Sequence, residues 1–289
     1  MSSSAVHERN SDQATYWNGP AGRRWTDRQE MQDVVLAPIS AALLDRARVA
    51  SGERVIDIGC GCGATAIELA ERVGPQGRVT GLDISAPMLE RAHERAPANL
   101  PLQLILADAT VHPFEAGATD LLFSRFGVMF FADPVLSFGN MRTALRPGGR
   151  MAFAAWREPR KNPWMIVPLQ EAYKHVARLP EVGPEEPGPF AFASEERVQR
   201  ILKEAGYEGV AMEPVELVLD LAAGRGLEAA VNGALAIGPV SRALEGQSPE
   251  LLAAVAHSIR TRLAPMQKGE TVPLGASVWI ATAAGVERP

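Results

Sequence analysis

Short apolar runs alternate with longer segments of helical periodicity along the first half of the chain. Strands are predicted at 54–58, 77–83, 102–108, 118–126 and 149–156, because these runs are short, rich in β-formers and bounded by turn residues. Helices are predicted between them at 64–73, 85–96 and about 134–145, and "RPGG" (146–149) is predicted to be the turn before the fifth strand. This alternation predicts a parallel sheet wound with helices on both faces, which binds ligands at the carboxyl ends of its strands.

The two ends of the chain have a different pattern. Residues 1–20 are polar and are predicted to form a mobile arm, and 29–49 have helical periodicity with a predicted kink or break at Pro38. Beyond Trp156 come a Pro/Glu/Gly-rich loop and further elements. These are a helix at 194–207, a strand at 209–222, helices at 226–245 and 249–267, and a strand at 271–284. Helices are therefore expected between the last two strands.

Three parts follow from this organisation. Residues 1–50 are expected to form an N-terminal arm and lid helices, and 51–156 a cofactor-binding core. Residues 157–289 are expected to hold the remaining strands with a helical cap over the substrate.

Composition narrows the class of protein. The net charge of -5 argues against a nucleic-acid partner, since phosphate contacts need clustered Lys and Arg. Neither a secretory leader nor an apolar run long enough for a membrane-spanning helix is visible, so no membrane insertion is expected. The cysteines, Cys60 and Cys62, offer neither a disulfide framework nor a four-ligand zinc site. A cytoplasmic protein without a bound metal is expected.

The segment "DIGCGCG" (57–63) places glycines between the first strand and its helix. Glycines here let the backbone turn sharply and approach a ligand, and the helix start offers free N–H groups to an anion. Gly59, Gly61 and Ala64 satisfy the permissive dinucleotide pattern, with Asp83 at about the expected distance. A nicotinamide- or flavin-dependent oxidoreductase is therefore one interpretation.

Acidic residues at successive strand ends favour another ligand. Asp57 would repel a pyrophosphate but suits a ligand with a positive centre, such as S-adenosylmethionine. Asp83 and Asp108 close the second and third strands. A carboxylate at the first of these positions can accept hydrogen bonds from both ribose hydroxyls, and one at the second can accept the adenine amino group.

These segments resemble the class I S-adenosylmethionine-dependent methyltransferases, in particular a small-molecule branch similar to the ubiquinone- and menaquinone-biosynthesis enzymes. The resemblance rests on "VIDIGCGCG" (55–63), "GLDIS" (81–85), "LADAT" (106–110), "FSRFGVMFFADP" (123–134) and "LRPGGRMAF" (145–153). It implies a doubly wound, mostly parallel, seven-stranded Rossmann-like sheet with an antiparallel last strand and an inserted helical cap.

The resemblance also implies a set of cofactor-binding residues. They are Asp57, Gly59, Gly61 and Gly63 around the methionine portion, Asp83 on the ribose, Ile84 and Met88 on the adenine face, Asp108 and Ala109 on the adenine edge, Ser124 beneath the sulfonium, and Trp25 in the lid.

The expected activity is methyl transfer to a small, apolar metabolite by in-line displacement. No catalytic residue can be assigned: Tyr173 and His175 are conceivable bases, but apart from residue type nothing favours them. Besides the NAD(P)- or FAD-dependent oxidoreductase, a protein that binds the cofactor without catalysis remains an alternative.

Overall fold

A seven-stranded sheet forms the centre of the computed structural model, which describes residues 7–180, 183 and 185–285. The strands are β1 (Arg54–Ile58), β2 (Arg78–Asp83), β3 (Leu102–Leu106), β4 (Thr119–Arg125), β5 (Leu145–Trp156), β6 (Tyr207–Asp220) and β7 (Pro273–Gly285). Their spatial order is β3-β2-β1-β4-β5-β7-β6. Strands β1 to β5 run parallel, and β7 runs antiparallel to both β5 and β6. The predicted Rossmann-like sheet with an antiparallel last strand is confirmed.

Eleven helices of six residues or more lie along the described chain. They are α1 (Ser11–Asn18), α2 (Pro20–Asp27), α3 (Gln29–Ala47), α4 (Ala64–Val73), α5 (Ala86–Arg95), α6 (Pro134–Arg142), α7 (Pro163–Ala172), α8 (Glu195–Glu204), α9 (Gly226–Ala236), α10 (Gly238–Ala243) and α11 (Pro249–Leu263). Helices α9 to α11 occupy the chain between β6 and β7, which confirms the predicted insertion. Throughout the described ranges, each helix is too short or too polar to cross a membrane.

Both faces of the sheet are covered. In β4 the successive side chains Leu121, Leu122 and Phe123 are each at most 1% exposed. Neighbouring strand residues point to opposite faces, so burial of all three requires a packed layer on each side. This explains why the strand reads as a continuous apolar run instead of an alternating one.

Residues 7–47, which we call the lid, are mostly helical. Helix α1 and the start of α2 therefore stand where a mobile arm was predicted over 1–20; residues 1–6 lie outside the described part. Helix α1 ends at Asn18, whose side-chain amide donates to the carbonyl of Ile84 at 2.9 Å and accepts from the N–H of Ala86 at 2.9 Å. These polar contacts join residues far apart in sequence, which hydrophobic periodicity cannot reveal.

Two further predictions are corrected. Pro38 does not break the segment, because α3 continues through it to Ala47. The proline lies on the exposed face of the helix, so water can serve the carbonyl that loses its partner, while the buried face holds the helix together. The "RPGG" segment (146–149) lies within β5 at a register shift against β4 instead of forming a turn before the strand.

The carboxyl ends of β1 and β4 approach each other at two glycines. An added Cβ on Gly59, whose φ is +68°, would lie 2.6 Å from the Cα of Gly127. The Oγ of Ser124 donates to the carbonyl of Ile58 at 2.7 Å and ties the same two strand ends. A side chain at residue 59 would therefore push the first turn away from the sheet.

We expect Gly59→Ala to lower the free energy of unfolding by roughly 2–5 kcal/mol, because left-handed backbone strain adds to overpacking against fixed backbone. Gly52→Ala is the matched control: its φ is +84°, but no atom lies within 4 Å of an added Cβ. That variant should lose only about 1–2 kcal/mol. Urea denaturation of both variants is the measurement, and equal losses would contradict the close approach.

Candidate functional site

The candidate site lies where β1, β2 and β4 end and α4 begins. Between β1 and α4 the chain passes through Gly59, Gly61 and Gly63, with φ of +68°, +54° and +83°. An added Cβ on Gly61 would lie 2.8 Å from the Cε of Met88. This backbone conformation is strained for other residues. The turn delivers the free N–H groups of the first turn of α4 to the edge of the sheet.

Asp57 is a fully buried carboxylate at this edge. Its Oδ2 accepts a hydrogen bond from the Oγ1 of Thr65 at 2.6 Å. Its Oδ1 is buried and has no hydrogen-bond partner among the described residues. Burial raises the pKa of Asp57 to about 7, an effect that the Thr65 hydroxyl and the Arg125 guanidinium partly oppose. A buried carboxylate with a spare oxygen favours a cationic or hydrogen-bond-donating ligand.

Asp83 faces the same turn from the end of β2. Its Oδ2 accepts the N–H of Gly61 at 2.7 Å, and its Oδ1 accepts the N–H of Ser85 at 2.8 Å. Burial raises the pKa of Asp83, and the backbone N–H donors partly oppose the shift. A carboxylate has about four acceptor positions, so Asp83 keeps acceptor capacity for another donor.

Asp108, beyond the end of β3, is also buried, but its acceptor positions are taken. The side-chain amide of Asn10 donates to both carboxylate oxygens at 2.9 Å. The backbone N–H groups of His7 and Thr110 also donate to the carboxylate, each at 2.9 Å. The lid therefore contacts the strand edge through Asn10 as well as through α1.

The remaining predicted site residues surround the same edge. Ile84 begins the β2–α5 turn and accepts from the lid through its carbonyl, and Met88 packs in α5 beneath the glycine turn. Ala109 is buried, and its carbonyl accepts from Asn140 at 2.8 Å.

Trp25 is half-buried on α2 against the core. The polar contacts that join the lid to the β2–α5 turn come from Trp17 and Asn18.

Trp17, in the same arm as Trp25, also contacts the turn after β2. Its carbonyl accepts from the Oγ of Ser85 at 2.7 Å. Its ring meets Phe130 edge to face, with the ring centres 5.1 Å apart. The lid thus contacts the turn after β2 and the segment after β4.

Ion pairs connect the next lid helix to the core. Arg95 on α5 lies 2.6 Å from the carboxylate of Asp33 on α3, and it donates to the carbonyl of Cys62 at 3.1 Å. One guanidinium therefore touches both the glycine turn and the lid. The conceivable bases lie elsewhere: Tyr173 and His175 follow the end of α7, and the His175 side chain is exposed.

The cysteines have a packing role in this turn. Cys60 and Cys62 are free and buried, and the Sγ of Cys60 would meet an added Cβ on Gly81 at 3.0 Å. Burial raises the pKa of Cys62 to about 12, so the thiol stays protonated. Within the described part of the chain, no three His, Cys, Asp or Glu side chains form a group that could hold a metal ion.

Sequence reasoning missed Thr65, Asn10 and Asn18. Thr65 could have been found, because it is the second residue of the helix after the glycine turn and so faces the strand end. The asparagines could not, since their partners lie 98 and 66 residues away.

The donor and acceptor groups fit the cofactor that the motifs predict. The ammonium and sulfonium of S-adenosylmethionine are cations, and Asp57 offers an unpartnered buried oxygen beside them. The carboxylate of the cofactor suits the free N–H groups of α4. The ribose hydroxyls of the cofactor suit the remaining acceptor capacity of Asp83. No feature of this edge requires a phosphate.

Comparison with known proteins agrees with this geometry. A family model described as a methyltransferase domain matches residues 55–149. Demethylmenaquinone methyltransferase from Staphylococcus aureus is 30% identical over 179 residues, covering 56% of this chain and 70% of that protein. Aklanonic acid methyltransferase from a Streptomyces species is 38% identical over 120 residues, covering 41% of this chain but only 54% of the relative.

A solved structure supports the same fold. Phosphoethanolamine N-methyltransferase 2 from Haemonchus contortus, in complex with phosphomonomethylethanolamine and S-adenosylhomocysteine, aligns with a TM-score of 0.57 at 17% identity. The alignment covers 98% of this chain and 61% of that one. At this identity the likeness shows the fold alone.

The raised pKa of Asp57 predicts a pH-dependent stability. Between about pH 4 and pH 7 the folded protein holds a proton on Asp57 that the unfolded chain has released. The free energy of unfolding therefore falls as the pH rises through this window, by up to about 1.4 kcal/mol per unit. The Asp57→Asn variant lacks this titrating group. Its free energy of unfolding should therefore rise relative to that of the wild type from pH 5 to pH 8.

Urea denaturation of both proteins at one-unit pH steps measures the difference between their free energies of unfolding. The contributions of the other titrating groups are common to both proteins and cancel in this difference. Parallel pH profiles for the two proteins would show that Asp57 titrates near its ordinary value.

Proposed function

This chain belongs to the class I S-adenosylmethionine-dependent methyltransferases, and we propose that it transfers a methyl group from this cofactor to a small, mostly apolar acceptor. The observation that carries the proposal is the pair of buried carboxylates, Asp57 and Asp83, against the glycine turn. A phosphate here would meet two negative charges, whereas a sulfonium nucleoside would meet complementary groups. The names of the two relatives, one for a menaquinone precursor and one for aklanonic acid, support a small-molecule acceptor.

The methionine portion would lie over the turn. Asp57 would face the positive groups of the cofactor, and the backbone N–H groups that follow Gly61 and Gly63 would hold its carboxylate. Ser124 would lie beneath the sulfonium end, because it sits on β4 at the point where this strand meets β1. Burial makes these interactions stronger than the same contacts in water.

The nucleoside would extend along the strand ends. Asp83 keeps acceptor capacity after binding Gly61 and Ser85, and it would accept from the ribose hydroxyls. The side chains of Ile84 and Met88 would cover one face of the adenine. Charge-assisted hydrogen bonds of this kind contribute about 1.5–3 kcal/mol each.

The adenine edge would be bound by Asp108 and Ala109 in competition with the lid. The amide of Asn10 places an NH₂ donor on Asp108, the same kind of donor as the adenine amino group. Cofactor entry therefore requires Asn10 to leave the carboxylate. Trp25, on the lid helix that follows, would then close over the cofactor.

In the reaction, the acceptor's electron pair forms the bond to the methyl carbon, and the carbon–sulfur pair remains on sulfur as the sulfonium becomes a neutral thioether. A protonated acceptor would release its proton to solvent. The chain's own contribution is to position and desolvate the reactants, which can supply about 7–11 kcal/mol of the barrier. We propose no general base. The buried, free thiols support our placement of the protein in a reducing cytoplasm.

We expect the wild-type protein to bind S-adenosylmethionine in equilibrium dialysis, and Asp83→Asn to weaken binding about tenfold or more. The matched control is Asp120→Asn. Asp120 accepts the N–H of Arg54 at 2.7 Å near the start of β4, the end of the strand away from the site. This control should lose stability without losing affinity. Binding of NAD(H) or FAD in place of S-adenosylmethionine would instead favour the oxidoreductase.

Catalysis is tested by incubating the protein with methyl-labelled cofactor and a panel of small metabolites. We expect label in neutral, apolar acceptors and none in nucleic acid. Tight cofactor binding with no label in any acceptor would favour a binding protein without catalysis. Because methyl transfer and cofactor binding are measured separately, a failure to bind the cofactor can be told apart from a failure to transfer the methyl group.

A further inference from the structure

A cavity lies between the lid and the cap, outside the cofactor edge described above. Its walls come from α3, α7, α9 and α10, and they include Met31, Met165, Leu221 and Val240. Among the described residues that line it, none is charged. A charged acceptor would be buried here without a counter-ion, at a high desolvation cost.

Two polar atoms break this apolar lining. Gln32 on α3 is 6% exposed, and its Oε1 has no hydrogen-bond partner in the described chain. The indole Nε1 of Trp164 on α7 is likewise buried without a partner there. Both residues line the cavity. Buried polar groups are nearly always paired, so these two atoms point to a ligand with both a donor and an acceptor.

A row of aromatic rings joins this cavity to the glycine turn. Phe126 follows β4 with a φ of +70°, a strained conformation for a residue other than glycine. Its ring stacks on Trp156 at 4.2 Å and 10°. Trp156 in turn contacts Trp164, with the ring centres 5.0 Å apart. The residue after Phe126 is Gly127, which touches Gly59, so the aromatic row begins beside the cofactor turn.

We propose that this cavity is the acceptor site and that it takes a neutral aromatic compound carrying a hydroxyl group. This inference rests on the proposed methyl transfer. The Trp164 ring in the cavity wall offers a flat surface for ring stacking. A hydroxyl accepts from the Trp164 N–H and donates to the Gln32 oxygen, whereas a carboxylate cannot donate and an ammonium cannot accept. Gln32 and Trp164 are therefore specificity-determining residues.

The cavity volume of about 40 Å³ is room for a water molecule or so, not for a ring. Entry of an acceptor therefore moves the lining. The thioether end of Met31 is flexible, and it lies 2.9 Å from an added Cβ on Gly233 of α9. The chain also bends between α9 and α10 at Ile237 and Gly238. These features allow α3 and the cap to separate.

Calorimetric titration with three probes tests the site: 2-naphthol, 2-methoxynaphthalene and 2-naphthoate. The methoxy compound accepts but cannot donate, and the naphthoate is charged. We expect 2-naphthol to bind the wild-type protein at least fivefold more tightly than either of the others, with and without S-adenosylhomocysteine. Equal or tighter binding of 2-naphthoate would overturn the proposal.

Two variants test the hydrogen-bonding roles of the Gln32 oxygen and the Trp164 N–H. Gln32→Leu should weaken the binding of 2-naphthol about fivefold or more, because its hydroxyl loses the oxygen to which it donates. The binding of 2-methoxynaphthalene, which has no hydroxyl to donate, should be unchanged. Trp164→Phe keeps a ring but removes the N–H, so it should weaken both compounds. The matched control, Gln170→Leu on the exposed side of α7, should change neither. Wild-type affinities in both cavity variants would overturn the assignment.

S-adenosylhomocysteine binding, measured on the same samples, should be unchanged in every variant. A protein that binds 2-naphthol as expected but no S-adenosylhomocysteine would contradict the proposed function and leave the cavity assignment standing. A protein that binds the nucleoside but does not discriminate among the probes would contradict the cavity assignment alone.

Discussion

The arrangement of the site depends on one buried carboxylate, Asp57, at the end of the central strand β1. Its position follows from the sheet, since β1 lies between β2 and β4 and is covered on both faces. A charge in such a place is unfavourable unless it is paired, and Thr65 satisfies only one of the two oxygens. The glycines that follow bring α4 close enough for Thr65 to do so. The other oxygen is buried without a partner among the described residues.

The lid shares one acceptor, Asp108, with the proposed nucleoside. Asn10 occupies Asp108, and Asn18 and Trp17 hold the turn after β2. The proposed cofactor would therefore replace the hydrogen bonds from Asn10 to Asp108 with its own. Such an exchange changes the number of hydrogen bonds little, which makes opening and closing possible without unfolding the core.

Helix α3 links the two halves of the proposed reaction. Asp33 on this helix pairs with Arg95, which also touches the glycine turn, and the neighbouring Gln32 lines the cavity beneath the cap. Adjacent residues thus face the two proposed sites. The parallel strands form the proposed cofactor edge, whereas the lid and the inserted helices form most of the cavity wall.

Local periodicity and residues adjacent in the chain are enough to predict the alternation of strands and helices, the glycine turn and the acids at the strand ends. Because parallel strands end together, they also place Asp57 and Asp83 at one edge. The helices of the arm, the hydrogen bonds between Asn10 and Asp108, and the cavity that Gln32 and Trp164 share appear only in the folded chain. Those contacts join residues about 100 or more positions apart. No local pattern encodes such pairs, because they form only when the packed layers bring distant segments together.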